Sequence, residues 1–362
     1  MKVVFRADAS IEIGTGHVMR CLTLARVLAE QGAICQFICR AHEGNLIEYV
    51  NSQGFHVEIL RLEKKTKAHA DDLAHSNWLG ADITQDAKDC STFLEAFQPD
   101  WLIVDHYALD ARWEMLLAPL YRKLMVIDDL ANRPHICSLL LDQTFGRNKD
   151  DYATHVSVDC IFLCGSNYSL IRPEFANLRD YSLKRREKPV LKKLLINLGG
   201  VDKNNVTCLV LKAIRTFNIA INYNITVVMG RHAPWIKSVL TVAKRMPCVT
   251  EVLVGVENIA EIMAESDLAI GAAGSSTWER CCLGLPTIAV ITAENQEMIS
   301  LKLNIYGAVL AISILEKDFS SQLNSAFIRL SDPVILQQIS SISATVTDGF
   351  GARRIGAVIN AR

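Results

Sequence analysis

Short, nearly continuous apolar runs alternate with segments of helical spacing along almost the whole chain. VVFRAD (3–8) predicts a strand. From Val18 to Ala29 the apolar residues fall at 18, 21, 22, 25, 28 and 29, the spacing of one helix face. ICQFIC (34–39), HVEIL (56–60), WLIVD (101–105), KLMVID (123–128) and IFLCG (161–165) follow as strands, separated by helix-like segments or loops. Strands that are apolar on both faces and alternate with helices predict a parallel sheet covered on each side.

The pattern then breaks. Residues 179–193, RDYSLKRREKPVLKK, are charged and contain a proline, and LLINLGG (194–200) starts afresh like a first strand. A helix near 206–217, ITVVMG (225–230), a helix near 234–245, VTEVLVG (249–255), a helix near 258–266, LAIGAAG (268–274), a helix from 275 and PTIAVIT (286–292) repeat the alternation. The chain therefore reads as α/β, with two Rossmann-like domains whose parallel sheets face an interdomain cleft. Ligands of such sheets bind beyond the carboxyl ends of the strands. The expected boundaries are an N-terminal domain over 1–178, a C-terminal domain over 190–338, and a helical segment over 339–362 returning to the first domain. Neither an internal repeat nor a low-complexity tract is visible.

Composition narrows the class. The chain has 362 residues, 50% hydrophobic and 21% charged, with a net charge of −1. This is ordinary globular composition, long enough for two cores, and it points away from disorder. Near-neutrality without runs of like charge gives no sign of a nucleic-acid or anionic-membrane partner. Arg6 and Asp8 interrupt the first apolar stretch, so it reads as a strand and not a signal peptide. No window reaches the roughly 18 apolar residues of a membrane span. The 11 cysteines lack zinc-type spacing and read as reduced core thiols in the cytoplasm.

The candidate chemistry lies in a few loops. In RADASIEIGTGHVMR (6–20) a strand enters a loop with Gly14 and Gly16, and a helix begins near His17. The spacing matches neither G-x-G-x-x-G nor a P-loop. The positive end of a helix favours the neutral, proton-accepting form of an imidazole, although a histidine there can equally serve as a cap. In GAAGSSTWERCCLGLP (271–286), Gly274, Ser275 and Ser276 occupy a strand-to-helix turn whose free N–H groups suit an anion such as a diphosphate. Glu279, one turn on, could accept both hydroxyls of a ribose or stand solvated.

Further polar residues end other strands. Gly199 and Gly200 in LGGVD allow close ligand approach, and Asp202 reads first as a helix cap. VDHY (104–107) brings Asp105, His106 and Tyr107 to the ligand edge. Asp128 and Asp129 are adjacent carboxylates without a supporting ligand cluster for a metal. Asn295 and Gln296 in ENQEM could contact a base, a ribose or a sugar, or cap the next helix.

RADAS…IGTGHVMRCLTLA (6–25) resembles the opening of the PseG family, the UDP-2,4-diacetamido-2,4,6-trideoxy-β-L-altropyranose hydrolases of pseudaminic acid biosynthesis. VDHY, IDD, YSLIRPEF (168–175), LGGVD, GAAGSSTWE, the Asn295–Gln296 pair and DGFGARR (348–354) follow in that family's order, covering nearly the whole chain. More distantly, the layout is similar to MurG-like glycosyltransferases with the GT-B fold. The resemblance implies UDP on the C-terminal domain, the sugar toward the N-terminal domain, and water attacking C1 with inversion, without metal or cofactor. It implies His17 as the base. Gly14, Gly16, Arg20, Tyr107, Asn295 and Gln296 fall on the substrate side. Gly199, Gly200, Gly274, Ser275, Ser276 and Glu279 fall on the nucleotide side. One departure is Ala273, where a second glycine would be expected; its methyl lies close to the phosphate path.

Elementary chemistry agrees with this reading. UDP is a good leaving group, so hydrolysis needs a base for water and a diphosphate cradle, with no separate acid. The expected product serves a surface-glycan pathway such as flagellin glycosylation. The expected partner is a UDP-sugar alone, bound by a monomer. A UDP-sugar glycosyltransferase and a non-catalytic sugar-nucleotide-binding protein are the competing readings.

Overall fold

The computed structural model describes residues 1–62, 73–217 and 223–362; the side chain of Asn295 also lies outside the described residues. The chain forms two compact units, Met1–Leu170 with Gly351–Arg362, and Ile171–Phe350.

In the first unit the strands are β1 (Lys2–Ala7), β2 (Ile34–Arg40), β3 (His56–Leu60), β4 (Trp101–Asp105), β5 (Lys123–Ile127), β6 (Leu139–Asp142) and β7 (Ile161–Cys164). Their order in the sheet is β3-β2-β1-β4-β5-β6-β7, and every pairing is parallel. Helices α1 (Gly16–Glu30), α2 (Ile47–Ser52), α3 (Ile83–Phe97) and α4 (Ala111–Leu117) connect them. Two apolar layers result. Val3, Phe5, Phe37 and Ile103 pack with Leu24 and Leu28 of α1, whereas Val4, Ile38, Leu102 and Val104 pack with Leu94 and Trp113 of α3 and α4. Side chains that alternate between two buried faces explain why these strands read as continuous apolar runs.

The second unit repeats the plan with β8 (Lys193–Asn197), β9 (Asn224–Met229), β10 (Thr250–Val254), β11 (Leu268–Ala272), β12 (Thr287–Ile291) and β13 (Leu310–Ser313), in the order β10-β9-β8-β11-β12-β13. Its helices are α5 (Pro173–Arg186), α6 (Val206–Arg215), α7 (Ile236–Ala243), α8 (Ile259–Glu265), α9 (Ser276–Cys282), α10 (Glu297–Tyr306), α11 (Phe319–Leu330) and α12 (Pro333–Ala344). In each sheet the first strand lies between neighbours reached in opposite directions, β1 between β2 and β4, and β8 between β9 and β11. That reversal of strand order opens a crevice at the carboxyl edge, where ligands of open α/β sheets bind.

Two strands, β6 and β13, have no counterpart in the sequence reading. Each spans four residues, below the length at which a short apolar run is separable from a helix segment. Helix α5, which straddles the expected end of the first domain, packs on α8, α9 and α12 within the second unit. The last helix, α13 (Gly351–Asn360), packs on α1 in the first unit, and a Cβ at Gly356 would come within 3.2 Å of Val27.

Candidate functional site

The first unit gathers its polar side chains at the switch point between β1 and β4. Gly14, with φ +81°, turns the loop after β1 so that α1 starts at Gly16. His17 and Arg20 then share one face of α1, three residues apart. Directly across, Asp105 ends β4, which pairs in register with β1. The His17 Nδ1 lies 2.6 Å from Asp105 Oδ1. Arg20 donates to the same carboxylate from Nε at 2.5 Å and from Nη2 at 2.7 Å. Its third nitrogen, Nη1, donates to Asp129 Oδ2 at 2.5 Å, and Tyr107 donates its hydroxyl to that oxygen at 2.9 Å. Asp105 is fully buried, yet Arg20 and His17 outweigh the desolvation cost and hold its carboxyl well below the usual carboxylate range. The His17 Nε2 has no hydrogen-bond partner among the described residues.

Around the imidazole stands a group of rings. Tyr107 meets His17 edge-on, with centroids 4.6 Å apart. His75 and Trp78, just before α3, pack on Tyr107 at 5.5 and 5.8 Å. Burial, together with the charges of Arg133 and His17, lowers the His75 pKa.

The neighbouring polar groups at this edge are engaged elsewhere. Asp8 binds Arg6 at 2.7 Å and accepts from the Arg40 backbone N–H at 2.6 Å. His106 accepts from the Ala108 N–H on Nδ1 at 3.1 Å, which leaves the proton on Nε2, 3.2 Å from Asp8. That arrangement fixes a neutral ring, and burial lowers its pKa accordingly. Asp128 binds Arg133 at 2.7 Å and accepts from Tyr152 at 3.1 Å. Among the described residues no group of three or more side chains is arranged to hold a metal ion. All 11 cysteines are unpaired, and all but Cys164 and Cys248 are buried.

In the second unit the corresponding switch point is made mostly of backbone. Gly199, with φ +93°, and Gly200 follow β8, and residues 273–275 lead from β11 into α9. Gly274 and Ser275 are exposed, and a Cβ on Gly274 would meet nothing within 4 Å. Ala273 is buried, so its methyl does not cover the turn. Glu279 is ion-paired with Arg172, Oε1 to Nη2 at 3.1 Å. Burial nevertheless pushes its carboxyl above the ordinary range, against the pull of Arg172. Asp202 is a cap, accepting from the N–H groups of Val206 and Thr207 at 2.8 and 2.9 Å. Gln296 accepts from Thr292 N–H and Oγ1, both at 3.0 Å, and so ties the turn after β12.

The structure thus brings together His17, Arg20, Tyr107 and the Gly14–Gly16 loop in one unit. In the other it brings together Gly199, Gly200, Gly274, Ser275, Ser276 and Glu279 around the β8–β11 reversal. Arg20, expected on the substrate side, directs its guanidinium to Asp105 and Asp129. The sequence reading missed His75, Trp78, Asp129's contact with Tyr107, and Arg172. The aromatic spacing of His75 and Trp78 was the one available hint, since the other contacts join residues distant in the chain.

Comparison with known proteins places this geometry. The glycosyltransferase family 28 C-terminal domain matches residues 198–334. The UDP-2,4-diacetamido-2,4,6-trideoxy-beta-L-altropyranose hydrolase of Campylobacter jejuni is 28% identical over 304 residues, covering 82% of this chain and 94% of that protein. An uncharacterized protein of Methanocaldococcus jannaschii is 24% identical over 300 residues, 82% of this chain, and the chain spans only 57% of its length. The spore coat polysaccharide biosynthesis protein SpsG of Bacillus subtilis is 28% identical over 153 residues, 42% of this chain and 44% of that protein. MurG of Acinetobacter baumannii superposes with a TM-score of 0.69 at 14% identity, covering 100% of this chain and 99% of the other. The UDP-GlcNAc 2-epimerase of Neisseria meningitidis gives a TM-score of 0.61 at 12% identity, with full coverage of both chains. The fold is accordingly that of the GT-B proteins, two Rossmann-like α/β domains each built on a parallel sheet, as the sequence resemblance implies.

Proposed function

We propose that the chain hydrolyses a UDP-linked 2,4-diacetamido-2,4,6-trideoxy hexose to UDP and the free sugar, a step of pseudaminic acid biosynthesis. The observation that carries this reading is the His17–Asp105 contact of 2.6 Å through Nδ1. With Nδ1–H donated to a buried carboxylate, the lone pair of the neutral ring lies on Nε2, the nitrogen without a protein partner. His17 takes a proton from water there. The water oxygen bonds to C1 as the C1–O bond breaks, the electron pair leaves with the diphosphate, and the anomeric centre inverts. Asp105 and its clamp, Arg20, are positioning residues that fix the ring and stabilise the imidazolium formed in this step. Arg20, Asp105 and Asp129 together carry one net negative charge, which the protonated His17 neutralises. Tyr107 borders the base. Asn295 and Gln296 are assigned to the substrate, and Gly199, Gly200, residues 274–276 and Glu279 to the nucleotide.

The 28% identity to the Campylobacter hydrolase supports the substrate class. The family 28 match over 198–334 favours, as the second reading, transfer of the sugar to an acceptor. Turnover of a panel of UDP-acetamido sugars in heavy-oxygen water, with no acceptor added, separates the two. Hydrolysis at C1 places the label in the free sugar. Label in the nucleotide product, or no turnover without an acceptor, overturns the reading.

A further inference from the structure

Arg280 sits in α9, five residues into the helix that follows the 273–275 turn. Side chains on a helix lean toward its N-terminus, so a long one at this position returns its head group to the first turn. Here the guanidinium donates from Nη2 to the Ala272 carbonyl at 2.8 Å and to Thr277 Oγ1 at 3.1 Å, and from Nη1 to Ser276 Oγ at 3.2 Å. A Cβ on Gly271 would fall 2.5 Å from Nη1, so glycine at the end of β11 is what admits the group. Arg280 is 1% exposed, and its Nε has no hydrogen-bond partner among the described residues.

The charge is not answered within the protein. Every other fully buried arginine of this chain, Arg6 and Arg40, has carboxylates at 2.7 Å. Arg280 has none within ion-pair distance among the described residues, and its chain neighbour Glu279 is bound to Arg172 instead. Burial pulls the guanidinium down to about 10, so it stays charged at neutral pH. An unpaired buried cation is costly, and a cation at the start of a helix adds repulsion from the helix's positive end. An anion docked on the exposed face of the turn would relieve both.

We infer that Arg280 supplies the counter-charge of a diphosphate site on the Gly274–Ser276 turn, acting from beneath it and without touching the ligand. The inference rests on the proposed function for the identity of the ligand, a nucleoside diphosphate. It adds a residue whose role is to set how strongly phosphate charge is felt at the turn.

The experiment titrates uridine, UMP and UDP into the full chain and into Arg280→Met and Arg280→Lys. In Arg280→Met the loss should grow with phosphate charge. It should be small for uridine, larger for UMP, and on the order of tenfold to hundredfold for UDP. Arg280→Lys, which keeps the charge, should recover most of the UDP affinity. Equal losses for all three ligands would mean that Arg280 only shapes the turn, and equal affinities would mean that no anion lies above it; each overturns the inference. Should Arg280→Met not fold, the wild-type chain still decides. Inorganic pyrophosphate should displace UDP competitively and shield the N–H groups of 274–277 from hydrogen exchange, and failure of either contradicts the assignment. Binding of UDP that is indifferent to Arg280 sinks this inference and leaves the hydrolase reading standing; an enzyme that binds no UDP sinks the reading itself.

Discussion

The two sheets reverse strand order at equivalent places, yet they furnish the reversal differently. At β1–β4 the crevice is packed with ionised side chains: His17, Arg20, Asp105 and Asp129 form one connected set, closed by Tyr107. At β8–β11 it is lined by glycine and serine backbone, with the charged groups either paired to one side, as Glu279 is, or held below, as Arg280 is. The contrast follows from what each place has to do. A general base needs one ring in one tautomer, and hydrogen bonds from fixed neighbours specify that. A diphosphate needs several donors and room for its oxygens, which a turn of small residues provides without ordering long side chains. The same topology thus carries a site of chemistry in one unit and a site of binding in the other.

The sharpest way to break this division is His17→Asn. Asparagine keeps a hydrogen-bonding group but cannot take a proton. Loss of a general base costs about 10²–10⁴-fold in rate. Because His17 belongs to the first unit, UDP affinity should stay unchanged. Steady-state kinetics and calorimetric titration on the same preparation test both halves. A variant that keeps most of its kcat would demote His17 to a helix-start residue. One that loses UDP binding would erase the separation of roles.

Glu279→Ala is the counterpart in the second unit. The lost charge-assisted hydrogen bonds to a ribose should weaken UDP by about 1.5–3 kcal/mol. The contact is to the sugar of the nucleoside, so uridine should weaken by as much as UDP. Calorimetry with both ligands checks this, and unaltered affinities would place the ribose elsewhere.

Acid and base stability separate the two carboxylates by sign. The folded value of Asp105 is depressed by Arg20 and His17 against its burial. Its contribution is therefore complete above the unfolded carboxylate value, near 3.9, and is lost as pH falls through the folded one. The folded value of Glu279 is raised, chiefly by burial. Its contribution is complete below the unfolded value, near 4.3, and is lost as pH rises through the folded one. Denaturant unfolding across this acidic range should show Asp105→Asn losing the wild type's fall on acidification. Glu279→Gln should instead lose a fall on alkalinisation. Slopes of the same sign in both variants would contradict the electrostatic contrast.

How far the sequence discloses this depends on the range of the contact. Most strands, the helix starting at Gly16 and the turn before α9 follow from periodicity and glycine placement, which are local. His17 and Arg20 are legible as one helix face. Their joint hold on Asp105 is not, because it requires β1 and β4 to be neighbours across 85 residues of chain. The same holds for Arg172 and Glu279, 107 residues apart. Arg280 reads in the sequence as an ordinary polar residue of an amphipathic helix. Only its burial beneath Ala272 and against Gly271 distinguishes it. The domain limits suffered for a related reason. The basic stretch of α5 reads as a linker, but Arg179 and Arg186 donate to carbonyls of α12 and of the end of α8, so its charges dock the helix instead of solvating it.

The smallest expected effect tests the backbone cradle most directly. Gly274 stands in the turn with nothing within 4 Å of a modest Cβ, and its φ is not in the left-handed region. Alanine there should leave stability within about 0.5 kcal/mol of wild type, because it adds neither a clash nor a strained conformation. Gly199 differs, since its φ of +93° makes any side chain strained whatever the space. If the phosphates approach the 274–276 N–H groups, the methyl at Gly274→Ala stands where an oxygen should come. UDP should then weaken by about 1 kcal/mol, the worth of one hydrogen bond, while uridine keeps its affinity. Thermal unfolding and paired titrations measure the two quantities. Unchanged stability with unchanged UDP affinity would move the diphosphate off this turn, and the open space above Gly274 would be no more than exposed backbone.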